Sequence, residues 1–371
     1  MTVIDIAKSL ISFDTSGPPA KEMPLAKWIR DYLVDLGVDA ELHEVAKDRA
    51  NVVAKIGEGT GAGLVLSGHI DTVLAGDLDL WTVSGPFEPV VRDGRVYGRG
   101  ASDMKGPCAS MIQAAKELKG ERLKRQLTLV FTAGEDTGGW FVARVLSDGK
   151  VTREEARFGI VGEPSMLRVV RCHKGYSYTT VTVNGKAAHS SRPETGINAI
   201  MGAAEILRGI PRLQETLNKT PHPLLGPSTI KPTLIKGGIK SNIIPDRCEI
   251  TLNTRLIPAH ANMETIKGWA RGLIPDSYEG SVEINVPRVR KPLDVPEDSE
   301  VVKLLTRVLG SEAIGVPYFS EAGDYTEAGI PTVLCGPGSI DQGHTANEYI
   351  AVDQLEKGVK VYKRVIEEIC L

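Results

Sequence analysis

Two rhythms of apolar positions alternate along this chain. From Glu22 to Gly37 the apolar residues Leu25, Trp28, Ile29, Leu33 and Leu36 recur at spacings of three and four, which predicts a helix with one buried stripe, closed by Gly37. That helix is expected to open the fold. Short apolar runs follow at Val52–Ile56, Leu64–Leu66, Leu127–Phe131 and Ile160–Val161, bounded by Gly, Asp and Asn, and read as strands buried on both faces. Helical patterns such as Ala109–Leu118 lie between them. Strands and helices in alternation predict an α/β sheet sandwiched by helices.

Beyond about Arg171 the texture changes. Tyr178–Val183 runs into an Asn184-Gly185 turn signal, Asn198–Leu207 has a helical pattern, and Cys248–Leu256 alternates strictly. In that last stretch Ile250 and Leu252 face one way while Glu249, Thr251, Asn253 and Arg255 face the other, as in a strand with one wet face. Past Val286 the buried-strand character returns at Thr332–Cys335, and a final helix carries Leu355, Val359, Tyr362 and Ile366 on one stripe. The expected organisation is an α/β domain in two parts, residues 1–172 and 289–371, interrupted by an α+β domain over 173–288. An insertion of this kind is expected over the active-site edge, as a lid or an oligomer contact.

A length of 371 residues supports this division, because it exceeds what one core usually organises. The net charge of −3, with acids and bases interleaved, gives no reason to expect a nucleic-acid partner. The longest apolar runs fall far short of the roughly 20 residues a membrane helix needs. The opening MTVIDIAKSLISF is amphipathic and contains an acid, unlike a secretory signal, so a cytoplasmic protein is expected. Five scattered cysteines without CxxC spacing argue for buried thiols rather than disulfides or a zinc knuckle.

The chemistry concentrates where apolar runs end. In Ser67–Val73 a strand leads into His69 and Asp71, and a carboxylate on the far ring nitrogen of a histidine fixes its tautomer for metal binding. In Tyr97–Gly106 a glycine-rich approach presents Asp103, for which capping the following helix is the competing reading. Phe131–Gly139 ends a strand with the adjacent acids Glu135 and Asp136, which repel each other and invite a cation. Glu163 follows Ile160–Val161, and His344, with Glu348 close behind, follows the last strand. Together these residues form the ligand inventory of a dinuclear metal site with imidazole and carboxylate donors and no thiolate.

The ordered motifs HIDTV, GRGASDMKG, GED, GEP, AAHSSRPETGINAI, GGIKSNIIPD and GPGSIDQGHTANE resemble the family of acetylornithine deacetylase, succinyl-diaminopimelate desuccinylase, aminoacylase-1 and carboxypeptidase G2. The resemblance covers nearly the whole chain. It implies a zinc-peptidase-like domain with a central mixed sheet and an inserted ferredoxin-like dimerisation domain. It further implies that Asp103 bridges two divalent ions, one also held by His69 and Glu163, the other by Asp136 and His344. Zinc is the first expectation, and cobalt or manganese would also suit the donors. The family often has Glu where this chain has Asp136. Glu135 would be the general base, Asp71 the partner of His69, and His189 an oxyanion donor reaching the site of the partner in a homodimer.

Asn242 resembles a substrate-contacting asparagine, and Arg255 suits bidentate capture of a substrate α-carboxylate. The stretch from Ser320 resembles acetylornithine deacetylases, with Gly323 expected at the substrate. The acids Glu321 and Asp324 there suit a cationic side chain and disfavour a succinylated diaminopimelate. The expected activity is hydrolysis of an N-acyl-L-amino acid, foremost N-acetylornithine. A desuccinylase, a metallo-carboxypeptidase or dipeptidase, and a non-catalytic scaffold are the alternatives.

Overall fold

The structure is a computed structural model describing residues 1–57 and 61–371. The chain forms two compact units. The first comprises Met1–Arg171, Val295–Ile314 and Ser320–Leu371, and the second Cys172–Asp294 and Gly315–Phe319.

The first unit opens with α1 (Val3–Ile11), one helix earlier than the apolar spacing predicts; the Glu22–Gly37 pattern forms α2 (Met23–Asp35). Thr2 and Asp5 close a capping box, and Val3, Ile6, Ala7, Leu10 and Ile11 bury one stripe. Two and a half turns give too little periodicity to separate such a helix from a merely amphipathic segment.

The sheet runs in the order β1 (Asp39–Ala46), β2 (Arg49–Ile56), β6 (Leu127–Thr132), β3 (Gly63–His69), β7 (Ala156–Pro164), β17 (Thr332–Gly336). It is mixed. β1, β2 and β6 pair antiparallel, whereas β6, β3, β7 and β17 run parallel to one another. Every residue of β3, β6 and β17 is buried, which explains why these strands read as unbroken apolar runs. Helices α3 (Lys105–Glu117) and α9 (Val352–Cys370) pack on each other and on β3, while α8 (Ala322–Glu327) covers β7 and β17. Around them α4 (Val142–Ser147) packs on α8, and α7 (Glu300–Leu309) on α9. A small antiparallel sheet joins β18 (Tyr349–Ala351), β5 (Arg95–Tyr97) and β4 (Val90–Arg92).

One consequence governs the site. Four parallel neighbours bring their carboxyl ends to the same edge, where open α/β sheets bind ligands.

The second unit carries an antiparallel sheet in the order β11 (Thr229–Gly237), β13 (Arg247–Leu256), β9 (Gly175–Asn184), β14 (Ser281–Asn285). Val181, Val183, Ile250 and Leu252 form its core with Ala203 and Ile206 of α5 (Ala199–Leu217), joined by Ala270 of α6 (Met263–Arg271). β13 alternates as its sequence predicts, with Ile250 and Leu252 buried and Thr251, Asn253 and Arg255 half-buried. A two-residue ladder joins β10 (Ala188–His189) to β12 (Ile243–Ile244). The short strands β8 (Val170–His173), β15 (Leu293–Asp294) and β16 (Ile314–Val316) lie where the chain passes from one unit to the other. All five cysteines are free and buried. No helix among the described residues is long and apolar enough to cross a membrane.

Candidate metal centre

Asp103 sits in the loop between β5 and α3, and a buried carboxylate from far along the chain shapes that loop. Glu348, fully buried, accepts from the backbone N–H groups of Ser102 (2.9 Å) and Asp103 (3.0 Å) through Oε1, and from Gly100 (3.0 Å) through Oε2. The same Oε2 takes a 2.7 Å bond from Arg99, whose guanidinium lies 5.3 Å from the Trp81 ring. The Gly98–Glu348 backbone bond beside the β5–β18 ladder brings Glu348 there. Asp103 does not cap α3: the cap position is Met104, without a side-chain cap bond, so the competing reading of Asp103 fails.

His69 ends β3 and is buried. Its Nδ1 lies 3.0 Å from the backbone carbonyl of Asp71, while the Asp71 carboxylate stands 3.7 Å away. The expected carboxylate–imidazole bond is therefore replaced by a carbonyl bond. The reason is that the Asp71 side chain is engaged elsewhere: it accepts from Glu135 N (3.1 Å), Thr137 N (2.8 Å) and Thr137 Oγ1 (2.7 Å). Either acceptor keeps the proton on Nδ1 and leaves the Nε2 lone pair facing the site.

The side chains converge. His69 Nε2 lies 3.2 Å from Asp103 Oδ1, and His344 Nε2 lies 3.3 Å from Asp103 Oδ2 and 3.2 Å from Asp136 Oδ1. Each Asp103 oxygen thus faces a different imidazole. Donor atoms of His69, Asp103 and Glu163 lie within 4.8 Å of one another, as do those of Asp103, Asp136 and His344, and those of His69, Glu135 and Asp136. The loop to His344 is built for close approach: a Cβ on Gly343 would meet Asp103 Oδ2 at 3.0 Å, and His344 itself takes a left-handed φ of 62°.

Electrostatics explain what this cluster needs. Burial first, then the charge of Asp136, raises the Glu135 carboxyl well above its ordinary range; burial, then Asp103, does the same to Glu163. Asp136 is raised by burial despite its bond from His344, and its Oδ2 is buried without a hydrogen-bond partner among the described residues. Bonds to Asp103 and then Asp136 push His344 up to about 10. In His69, burial opposes the charged form, but Asp103, Asp136 and Glu163 outweigh it and raise the ring well above its usual value. Crowded carboxylates, an orphaned oxygen and two imidazoles shifted toward their charged form are what a site suited to positive charge shows. Oxygen and imidazole donors without thiolate fit divalent ions of the zinc type.

The remaining expected residues are placed as follows. In the second unit His189 and Asn242 share one end of the β10–β12 ladder, with Ser190 N donating to Asn242 O at 3.1 Å. His189 Nδ1 accepts from Ser191 N (3.1 Å) and lies 2.8 Å from Ser191 Oγ, so the neutral ring carries its proton on Nε2 as an exposed donor. Arg255 lies on β13 with its guanidinium 5.6 Å from the Tyr176 ring. In the first unit Gly323 is buried in the first turn of α8.

The fold and the buried donor set define a metal-dependent hydrolase. Residues 65–368 match peptidase family M20/M25/M40, and the chain belongs to that family. It is 31% identical to an acetylornithine deacetylase of Proteus mirabilis (strain HI4320) over 374 residues, covering 99% of this chain and 95% of that protein. Among solved structures it resembles a tripeptidase from Staphylococcus aureus, with a TM-score of 0.80 and 22% identity over 99% of this chain and 97% of the other. It also resembles a dinuclear metal binding peptidase of the M20 family from Bacillus subtilis, with a TM-score of 0.67 and 19% identity over 99% and 97%. The protein is accordingly a hydrolase of amide bonds.

One neighbourhood differs from its expectation. Glu321 and Asp324, expected to face a cationic substrate, are turned into the fold by α8. Glu321 is buried and accepts from Thr132 Oγ1 at 2.7 Å, and Asp324 accepts from the Trp140 indole N–H at 2.9 Å. These bonds replace the expected pairing with a cationic substrate side chain. Burial pushes Glu321 up to about 8, against the bond from Thr132, and its Oε1 has no hydrogen-bond partner among the described residues. A carboxyl raised in the folded state contributes stability below its unfolded pKa and loses it as pH rises through the window from about 4.5 to about 8. In metal-free protein, Glu321→Gln should therefore flatten the decline in stability between pH 5 and pH 8 by on the order of 3 kcal/mol. Urea unfolding at the two pH values measures this, and equal slopes in variant and wild type would contradict the assignment.

Proposed function

We propose that this protein hydrolyses the amide of an N-acyl-L-amino acid with two divalent cations, zinc foremost, one at His69, Asp103 and Glu163 and the other at Asp103, Asp136 and His344. The observation that carries this reading is the division of the Asp103 carboxylate, one oxygen toward each imidazole, at 3.2 and 3.3 Å. N-acetylornithine is the favoured substrate, on the strength of the full-length relative. The same machinery would serve a peptide, and the family's peptidases make that the second reading.

Bound cations would supply an acidified water and polarise the acyl carbonyl. The chain's own groups do the rest. Glu135, half-buried and raised by burial and by Asp136, takes the proton from the water and returns it to the departing amine nitrogen, which cannot leave as an anion. Asp71 holds Glu135 through its backbone N–H during both transfers. His189, with its proton on Nε2, donates to the carbonyl oxygen as charge builds there. Arg255 offers a planar fork to the α-carboxylate, and Asn242, beside His189, orients the acyl amide.

Free amine released from N-acetylornithine, N-succinyl-diaminopimelate, other N-acetyl amino acids and dipeptides should require added zinc or cobalt after metal stripping, with N-acetylornithine cleaved best. Glu135→Ala should keep its metal and lose roughly 10²–10⁴-fold in kcat, whereas Asp103→Ala should lose metal as well. Equal metal loss in both would contradict the two roles, and a different best substrate would replace N-acetylornithine alone.

The reading includes a homodimer in which His189 serves the partner's site. Supporting it, β11 is an edge strand, and Leu234, Ile235 and Ile239 on and beside it are 70%, 56% and 84% exposed. Mixing His189→Ala with Glu135→Ala after subunit exchange should then restore about a quarter of wild-type activity, since half the dimers are mixed and each has one complete site. Mixtures no more active than their components would contradict it.

A further inference from the structure

The loop Ala133–Phe141 carries both Glu135 and Asp136 and contains no helix or strand. Gly134, Gly138, Gly139 and Trp140 all take positive φ, and the two adjacent carboxylates repel each other. A loop of this kind needs external anchors. They come from β2, which runs antiparallel to β6 and so begins at the carboxyl end of β6, with Arg49 and Asn51 two residues apart on the same face.

Asn51 closes the loop at both ends, accepting from Ala133 N at 2.9 Å and donating to Phe141 O at 3.0 Å. Arg49 grips its middle. Nη1 donates to Gly138 O at 2.8 Å, Nη2 donates to Thr137 Oγ1 at 2.6 Å, and the guanidinium lies 4.8 Å from the Phe141 ring. Thr137 Oγ1 in turn donates to Asp71 Oδ2 at 2.7 Å, and Asp71 Oδ1 accepts from Glu135 N. Behind Arg49, the fully buried Glu22 accepts from Nε at 2.8 Å and from Nη2, which fixes the guanidinium plane. The connected path runs Glu22, Arg49, Thr137, Asp71, Glu135.

We infer that Arg49, oriented by Glu22, is a positioning residue for the Glu135 and Asp136 pair, acting through Thr137 and Gly138. The inference rests on the roles proposed above for those two acids. Only a planar fork serves Glu22 and two loop acceptors together; a lysine in its place is a point donor that keeps the charge beside Glu22 and gives up the loop. An ion pair that merely stabilised the fold would be satisfied by either residue.

The test uses Arg49→Lys and, leaving the buried pair intact, Thr137→Val in full-length protein loaded with zinc. Two readouts are taken: steady-state kinetics on whichever amide the wild type cleaves, and hydrogen exchange across residues 133–141. Because misplacing a reacting group by about 1 Å removes up to roughly 100-fold in rate, kcat should fall roughly 10- to 100-fold in Arg49→Lys and about tenfold in Thr137→Val, with KM within about twofold. Exchange should quicken over 133–141 while β3 and β6 keep wild-type protection. Unchanged exchange over 133–141 overturns the inference, as does a lowered Tm with wild-type kcat. A wild type that cleaves no amide counts against the proposed function, while the exchange readout still decides whether Arg49 holds the loop.

Discussion

Mutual repulsion among Asp103, Glu135, Asp136 and Glu163 is the constraint on which the rest of the structure depends. Two like charges about 4 Å apart interact by roughly 4 kcal/mol at an effective dielectric constant of 20. A few such pairs rival the whole net stability of a domain, about 5–15 kcal/mol. In the metal-free protein the crowding raises Glu135, Glu163 and both imidazoles, which favours protons on them, and a divalent pair would compete for the same donor atoms. Only a rigid frame keeps such groups together in either state.

The parallel strands supply that frame. β3 and β7 carry His69 and Glu163 on regular backbone, so the sheet register fixes their separation. Asp103, Asp136 and His344 lie on loops and need anchors of their own. Glu348 gathers three N–H groups of the Asp103 loop, and Asp71 gathers the loop of the acid pair. The site is thus two carboxylate layers: one offered to cations, the other spent on backbone N–H groups that orient the first.

Most of the metal-facing layer was legible because buried parallel strands read as apolar runs, and His69, Asp136, Glu163 and His344 each stand at or beyond the end of one, whereas Asp103 was legible only from its glycine-rich loop. The second layer was not. Glu348 follows Asp103 by 245 residues, and nothing local announces their contact. The spacing of Asp71 to His69 cannot say whether a carbonyl or a carboxylate reaches the ring, and the carboxylate goes to Glu135 N and Thr137. Glu321 and Asp324 lie at and in α8, whose six residues are too few for periodicity to show that they turn inward. Strand β1, with its exposed and half-buried alternation, carries no apolar run, and β4, β5 and β18 span three residues each.

The central claim is that two divalent ions share Asp103 in one buried site. Titrating metal-stripped protein with zinc and counting the bound metal tests it most directly, with X-ray absorption at the zinc edge to read the ligands. Two equivalents per chain, bound through nitrogen and oxygen donors, each with imidazole and no sulfur, is the expected result. A single equivalent at saturation, or sulfur in the coordination shell, would contradict the account.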